Sequence, residues 1–431
     1  QVRHISFYTA SSFIIASMIG TGVFTSLGFQ LVHIQSVFSL LMLWLIGGLI
    51  AFCGALSYGE LGTALPRSGG EYHILSQVMH PSIGFSAGIV SATIGFTAPA
   101  VLAAMALGSY INALFPLINE TVLACFVIIF LHCLHISSIK WGTLFQKGAT
   151  VLKIGLILLF IIFGFLSKPL HIISLVPKTE DLFLIFSPEF AIGLIWVSYS
   201  YTGWNSIVYI AGELKAPKTN ISKSMFISTG LVMLLYLLLN YTFLYTTSMG
   251  DMTGKVDIGY ITGLVIFGEV GSKLVALGIS ILLLSTVSSY VYIGPRIMQI
   301  MGEDHKFLSF LKSPKNEIIP SSAFYIQLII SFMFLLTSSF EQVLMYTGIA
   351  LIITTSLTVI SLFILRYTEP HLNRPYKVWG YPFTPLIYLI TNFCILFYSF
   401  RDATFESIIG LGVVLLSIII YFLLNRRYKI I

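Results

Sequence analysis

The chain has 431 residues, of which 57% are hydrophobic and only 9% charged, with a mean hydropathy of +0.93. Soluble domains carry about a quarter charged residues. So little charge cannot cover a water-facing surface, and most of the exterior must meet lipid. The net charge of +6 does not mark a nucleic-acid binder. The basic residues sit in short loops between apolar segments, where they encode membrane topology.

At about 20 residues per span, the length allows roughly ten to thirteen membrane helices. Continuous apolar runs such as 155–166 and 274–287 lack the alternation of a membrane β-barrel, the only other spanning structure. Twelve spans are expected, at about 8–31, 37–64, 82–109, 120–138, 147–167, 188–212, 224–247, 270–300, 320–338, 341–365, 383–400 and 404–425. The connections are too short to fold alone, so the chain reads as one all-α transmembrane domain. Cys53, Cys125, Cys133 and Cys394 all fall inside spans and read as packing residues. No cleavable signal peptide is expected, because the first apolar segment is long and lacks a small-residue cleavage site.

Seventeen basic residues, from Arg3 to Lys429, fall on one set of loops and termini, and five (Lys168, Lys178, Lys255, Lys273, Arg401) on the other. The richer side is cytoplasmic. Both termini then lie in the cytoplasm, and the protein crosses the cell membrane an even number of times. Lys153 is left over, inside the fifth span.

The first span reads SSFIIASMIGTGVFTSLGF, with Ile19-Gly20-Thr21-Gly22 interrupting an apolar run. The sixth reads IGLIWVSYSYTGWNSIVYIAGE, with Ser198, Ser200, Thr202, Gly203, Asn205 and Ser206 near its centre. Taken singly, each cluster reads as a packing site, since small residues let membrane helices approach closely. As a pair they read differently. Interrupted segments at corresponding places in two halves point to a transporter site built on inverted repeats. The repeats would run about 8–167 and 188–365, with two helices appended at about 383–425.

The chemistry follows from the break. A half-helix N-terminus offers unpaired N–H groups and partial positive charge, suited to a carboxylate. A half-helix C-terminus offers carbonyls, suited to an ammonium. The N–H groups of Gly20, Thr21 and Gly22 are expected to take the carboxylate of an α-amino acid. The carbonyls near Ser17, Met18, Ser198 and Tyr199 are expected to take its amine. No charged side chain lies at the centre of either span.

Three stretches, MIGTGVFTSLG, ALSYGELGTALPRSGGEYHIL and YTGWNSIVYIAGELKAPKTNIS, resemble the amino acid–polyamine–organocation superfamily. Among its members they look most like amino-acid permeases, including the L-amino-acid and alanine/serine exchanger branch. The resemblance implies a five-plus-five inverted-repeat fold with spans eleven and twelve outside it, and a substrate held between the breaks. Two places depart from the pattern: Ser222 stands where many relatives have proline, and STVSSYVYIGPR in span eight is not a close match.

Lys153 has two readings from the sequence: a functional charge within the membrane, or a snorkelling side chain near the interface, about 9 Å along the helix from Lys147. The resemblance favours the first, with the lysine standing in for a sodium ion against spans one and eight and Ser285 as its partner. Sodium independence would follow, with proton coupling left open. The resemblance also makes Tyr199 a gate over the substrate, with Trp204 and Asn205 fixing the geometry of the break. It gives Tyr236 a hydroxyl facing the cytoplasmic vestibule. Glu60, Arg67 and Glu71 are expected to form ion pairs that help close the inner gate. Ile94, Gly95 and Ala98, with Ser288 opposite, are expected to line a side-chain pocket between spans three, six, eight and ten. That small, apolar lining suggests a neutral substrate.

No HExxH, GxSxG or P-loop signature is expected, and no enzymatic constellation, metal or cofactor. His132 and His135 read as interfacial. Transport must then be driven by gradients or exchange. The alternatives are a channel, which would need rings of carbonyls or charges around a symmetric pore; a membrane enzyme, which would need convergent polar groups at depth; and a polyamine or other organic-cation carrier, which would need carboxylates in the pocket. The sequence specifies no accessory subunit.

Overall fold

The structure, a computed structural model, describes residues 5–137, 140–167, 176–313 and 320–429, with the side chains of these apart from 140–147, 149 and 427–429. Arg3, Lys168 and Lys315, and the side chains of Lys140, Lys147, Arg427 and Lys429, therefore lie outside the described residues.

The described residues form seventeen α-helices and no β-strand. Span one is two helices, α1 (Phe7–Met18) and α2 (Gly22–His33), and span two is α3 (Val37–Ala64). A short helix α4 (Gly70–Val78) precedes span three, which divides into α5 (Pro81–Val90), a π-helical turn (Ser91–Gly95) and α6 (Thr97–Leu114). Spans four and five are α7 (Glu120–Ser137) and α8 (Lys140–Leu166). After α9 (Thr179–Ile185), span six comprises α10 (Pro188–Tyr201) and a 3-10 segment (Ser206–Glu213). Then follow α11 (Pro217–Thr246), α12 (Met249–Met252), α13 (Ile258–Asp304), α14 (Ser321–Thr337), α15 (Phe340–Thr368), α16 (Phe383–Asp402) and α17 (Thr404–Lys429).

Each of the twelve expected spans coincides with helix. Among the described residues, nine helices are long and apolar enough to cross a membrane, and the bent pair Thr179–Ile185 and Pro188–Glu213 makes a tenth. Thr150–Leu166 and Ser321–Thr337 are shorter apolar helices at the places of spans five and nine.

Three local features depart from the expected pattern. Pro99 cannot donate to the carbonyl of Gly95, and the chain answers with the π turn, closed by Phe96 N–H on the Ser91 carbonyl at 2.9 Å. Helix α13 starts before the expected residue 270, at Ile258, and departs from helical geometry at Gly268, whose φ is 69°. Helix α8 starts at Lys140 rather than 147, which puts Lys153 about 20 Å along the axis from its beginning.

The core gathers around spans one and three, where 83% of each apolar window is buried, against 28% for each of α16 and α17. The last two helices therefore sit at the periphery. Close helix approach depends on small residues: a Cβ on Gly48 of α3 would come within 2.5 Å of Met233 of α11.

Candidate functional site: two broken helices packed crosswise

Span one breaks over Ile19–Thr21. Ile19 N–H closes α1 on the Ile15 carbonyl at 2.9 Å. Helix-terminal carbonyls lack intrahelical partners and carry the negative end of the helix dipole. Here three in succession receive side chains from other spans. Lys153 Nζ of α8 donates to Ala16 O at 2.9 Å, the Tyr290 hydroxyl of α13 to Ser17 O at 3.2 Å, and the Tyr236 hydroxyl of α11 to Met18 O at 2.6 Å. Where the chain resumes, α2 has no side-chain cap. The N–H groups of Gly20, Thr21 and Gly22 have no hydrogen-bond partner among the described residues.

Span six breaks after Tyr201. Thr202 folds back on its own helix, its N–H on Tyr199 O at 2.9 Å and its hydroxyl on Ser198 O at 3.2 Å. Gly203 turns the chain with φ 109°, a conformation that disfavours any side chain. Ser206 N–H then bonds Gly203 O at 3.0 Å, starting the 3-10 segment.

The two breaks pack crosswise. A Cβ on Gly203 would lie 2.7 Å from the Ser17 carbonyl carbon, and one on Gly22 would lie 2.5 Å from Ser200 Cα. Both glycines are thus required by backbone approach. Gly20 differs, since its Cβ would meet Thr286 at an ordinary 3.4 Å. Across the junction the Tyr199 and Thr21 hydroxyls hydrogen-bond at 2.8 Å, and those of Ser26 and Ser200 at 3.0 Å.

Two cavities flank the Thr202–Trp204 turn. One, of about 500 Å³, is bounded by Ser17, Gly95, Phe96, Gly203, Asn205, Tyr209, Tyr290 and Thr355 among others, drawn from spans one, three, six, eight and ten. The second, of about 430 Å³, lies between α3, α10, α15 and α16 and is lined by Ser198, Tyr199 and Thr202. Neither lining contains Asp, Glu, Lys or Arg. Gly20, Thr21 and Gly22 line neither cavity. They are buried, with the Tyr199–Thr21 bridge across them.

Several expected placements need correction. Of the pocket residues, Gly95 lines the larger cavity. Ile94 instead packs with Val90, Ala350 and Val414, and Ala98 lies in the hydrophobic core. Ser288 faces α7, hydrogen-bonded to His135 Nε2 at 2.8 Å. The span-eight wall is Tyr290, two residues and about 200° further around the helix. Its sequence signal was its spacing from Thr286: residues four apart share a helix face, and both reach the end of α1.

Lys153 is fully buried, so the side chain runs to the span-one break rather than out to the interface. Its hydroxyl partner is Thr286 Oγ1, at 2.9 Å; Ser285, the expected one, is the preceding buried residue. Tyr236 is also fully buried, its hydroxyl on Met18 O rather than facing a vestibule. Trp204 stands edge-on to Tyr58, ring centroids 4.8 Å apart.

The three expected gate residues go separate ways. Buried Glu60 pairs with Arg366 at 2.6 Å and Arg374 at 3.4 Å, joining α3 to the end of α15 and the chain beyond it. Arg67 pairs with Asp304 at the end of α13, at 3.0 Å. Glu71 makes no ion pair among the described residues. It accepts instead from Tyr58 and Asn205.

His132 and His135 are buried rather than interfacial, because α7 packs against α13 and α14. All four cysteines are free, and no metal-binding group of side chains occurs among the described residues. Contrary to the expectation that no GxSxG occurs, Gly84-Phe85-Ser86-Ala87-Gly88 matches that spacing of some hydrolases. It lies on α5 rather than at a strand-to-helix elbow, and Ser86 Oγ donates to Val414 O at 2.8 Å.

Comparison with known proteins places this arrangement in context. The family described as amino acid permease matches residues 5–424. The serine/threonine exchanger SteT of Bacillus subtilis (strain 168) is 25% identical, the match covering 99% of this chain and 97% of the relative. Asc-type amino acid transporter 1 of Mus musculus is 24% identical over 98% of this chain and 81% of its own length. Large neutral amino acids transporter small subunit 2 of Homo sapiens is 25% identical over 98% and 80%.

Proposed function

This chain belongs to the amino acid permease family, and from that premise we propose that it carries L-amino acids with small or medium, neutral side chains by alternating access. It is a multi-pass membrane transporter of amino acids, not an enzyme. One observation carries the finer reading: three unpaired N–H groups at Gly20, Thr21 and Gly22 form the positive, N-terminal end of α2 behind the Tyr199–Thr21 bridge, and the cavities at the Thr202–Trp204 turn hold no charged side chain.

The substrate carboxylate binds those N–H groups. Its amine binds carbonyls at the ends of α1 and α10, those of Ser17, Met18, Ser198 and Tyr199. A carbonyl oxygen has two lone pairs, so the hydroxyls already on Ser17 and Met18 leave each an acceptor position. Tyr199 acts as the gate, since its bond to Thr21 must open before a carboxylate can enter. The side chain of the substrate extends past Gly95, and the neutral lining favours an amino acid over a polyamine.

Lys153 holds the Ala16 carbonyl and the Thr286 hydroxyl, where a bound cation would otherwise serve, so transport is sodium-independent. The Arg67–Asp304 pair and the Glu60 cluster latch the inner face. Both termini lie on that cytoplasmic side. Residues 8–167 and 188–365 act as inverted repeats, with 383–425 appended.

The test is uptake into proteoliposomes with a panel of labelled amino acids, with and without internal substrate, sodium or a pH gradient. Uptake of neutral amino acids without sodium is expected. No uptake of any amino acid would sink the reading, and strict sodium dependence would remove the role given to Lys153. Stimulation by internal substrate identifies exchange, and stimulation by an acidic exterior identifies proton coupling.

A further inference from the structure

Glu71 is the second residue of α4, in the connection between spans two and three, and it is fully buried. Its Oε1 accepts two hydrogen bonds, from the Tyr58 hydroxyl at 2.9 Å and from Asn205 Nδ2 at 2.8 Å. Its Oε2 is enclosed with no hydrogen-bond partner among the described residues. The groups facing it are Tyr58 of α3, Asn205 and Tyr209 of span six, Thr354 of α15 and Tyr388 of α16. None is a cation. Glu60, eleven positions earlier and equally buried, has two arginines.

A buried carboxylate without a cation costs several kcal/mol, whereas a buried carboxylic acid is a neutral group. Both donors on one oxygen and none on the other is the pattern of an acid with its proton on Oε2. Burial pushes the Glu71 carboxyl up to about 7. Asn205 belongs to the span-six break and lines the larger cavity, so one side chain separates Glu71 from the candidate substrate space.

We propose that Glu71 is a proton-binding site linked to the span-six break, protonated on Oε2 while Gly203–Asn205 closes over it and ionised when that segment moves away. The proton comes from water and returns to water; the O–H bond forms on closure and breaks on opening. This rests on the transport reading above, because it needs a state in which the enclosing layer opens. By linkage, a substrate that closes the break draws a proton with it.

The test uses purified full-length protein in weakly buffered detergent solution at neutral pH, with a pH-indicator dye. Candidate amino acids are first ranked by calorimetric binding; if none binds, the transport reading fails, separately from this one. With a binding amino acid, the wild type is expected to take up a substantial fraction of a proton per substrate bound, and Glu71→Gln none. Binding without proton uptake in the wild type would overturn the proposal, as would undiminished uptake in Glu71→Gln. Infrared spectra of the substrate-free protein supply a readout that needs only a folded sample. A protonated-carboxyl stretch should fade as pH rises through neutrality in the wild type and be missing in Glu71→Gln. Should that variant not purify folded, Glu71→Asp should move the band. A wild type without the band would overturn the assignment.

Discussion

At the span-one break the last carbonyls of α1 are held by side chains from three other spans, Lys153, Tyr236 and Tyr290. At the span-six break the corresponding carbonyls are held within their own turn, by Thr202. Span one is thus tied to the positions of α8, α11 and α13. The span-six break reaches its neighbours through its own side chains instead, Tyr199 on Thr21, Ser200 on Ser26 and Asn205 on Glu71. The carbonyls of span one are therefore anchored by its neighbours, whereas those of span six are satisfied by its own turn.

The largest effect should come where the breaks touch. Gly203→Ala would set a Cβ against Ser17 in a strained conformation, costing about 1–3 kcal/mol for the positive φ and about 1–3 kcal/mol for overpacking. Uptake should be lost and the melting temperature lowered, and Gly22→Ala should behave alike through its clash with Ser200. Gly20→Ala, with room for its methyl, should be nearly neutral in a thermal melt. Equal damage from all three would dissolve the distinction between approach and ligand positions.

Next comes pH. Glu71 has a folded-state value of about 7 against an ordinary 4.5. The contribution of this raised value is fully present below about pH 4.5 and lost as pH rises through about 7. The wild type should therefore lose on the order of 3 kcal/mol over that window relative to Glu71→Gln. Parallel melting curves for the two proteins would contradict it.

Lys153→Met tests the anchoring of span one. It leaves the Ala16 carbonyl and the Thr286 hydroxyl without this donor, at about 1–3 kcal/mol, and uptake should fall steeply. Thr202→Val, which removes only a local bond within span six, should cost less. The reverse order would invert the comparison. The smallest effects belong to the two hydroxyls. Tyr236→Phe should cost about 0.5–1.5 kcal/mol, and Tyr290→Phe less, its bond being 3.2 Å rather than 2.6 Å. Thermal melts of both variants check the ranking.

Much of the site was legible because local chemistry carries it. Glycine beside small polar residues in an apolar run marks both interruptions, and helix breaks occur within the described structure at both. Partner choice was not legible. Ser285 and Thr286 are adjacent hydroxyls, and only the rotation of α13 selects Thr286 for Lys153. Ser288 was the expected pocket residue of span eight, yet the same rotation turns it to His135 and brings Tyr290 to the cavity. Charges near one another in sequence suggested a single gate, but Glu60, Arg67 and Glu71 find partners far along the chain.

Sequence alone determined that this protein is a helical bundle in lipid, which segments are helical and where two of them break, though not where α8 and α13 begin. Those properties follow from hydropathy and backbone propensity, which act over a few turns. Only the tertiary structure decided which carbonyls are capped, that Gly22 and Gly203 rather than Gly20 are fixed by backbone approach, and that Glu71 is enclosed without a cation. Each depends on the relative rotation and depth of helices distant in the chain, and packing sets those.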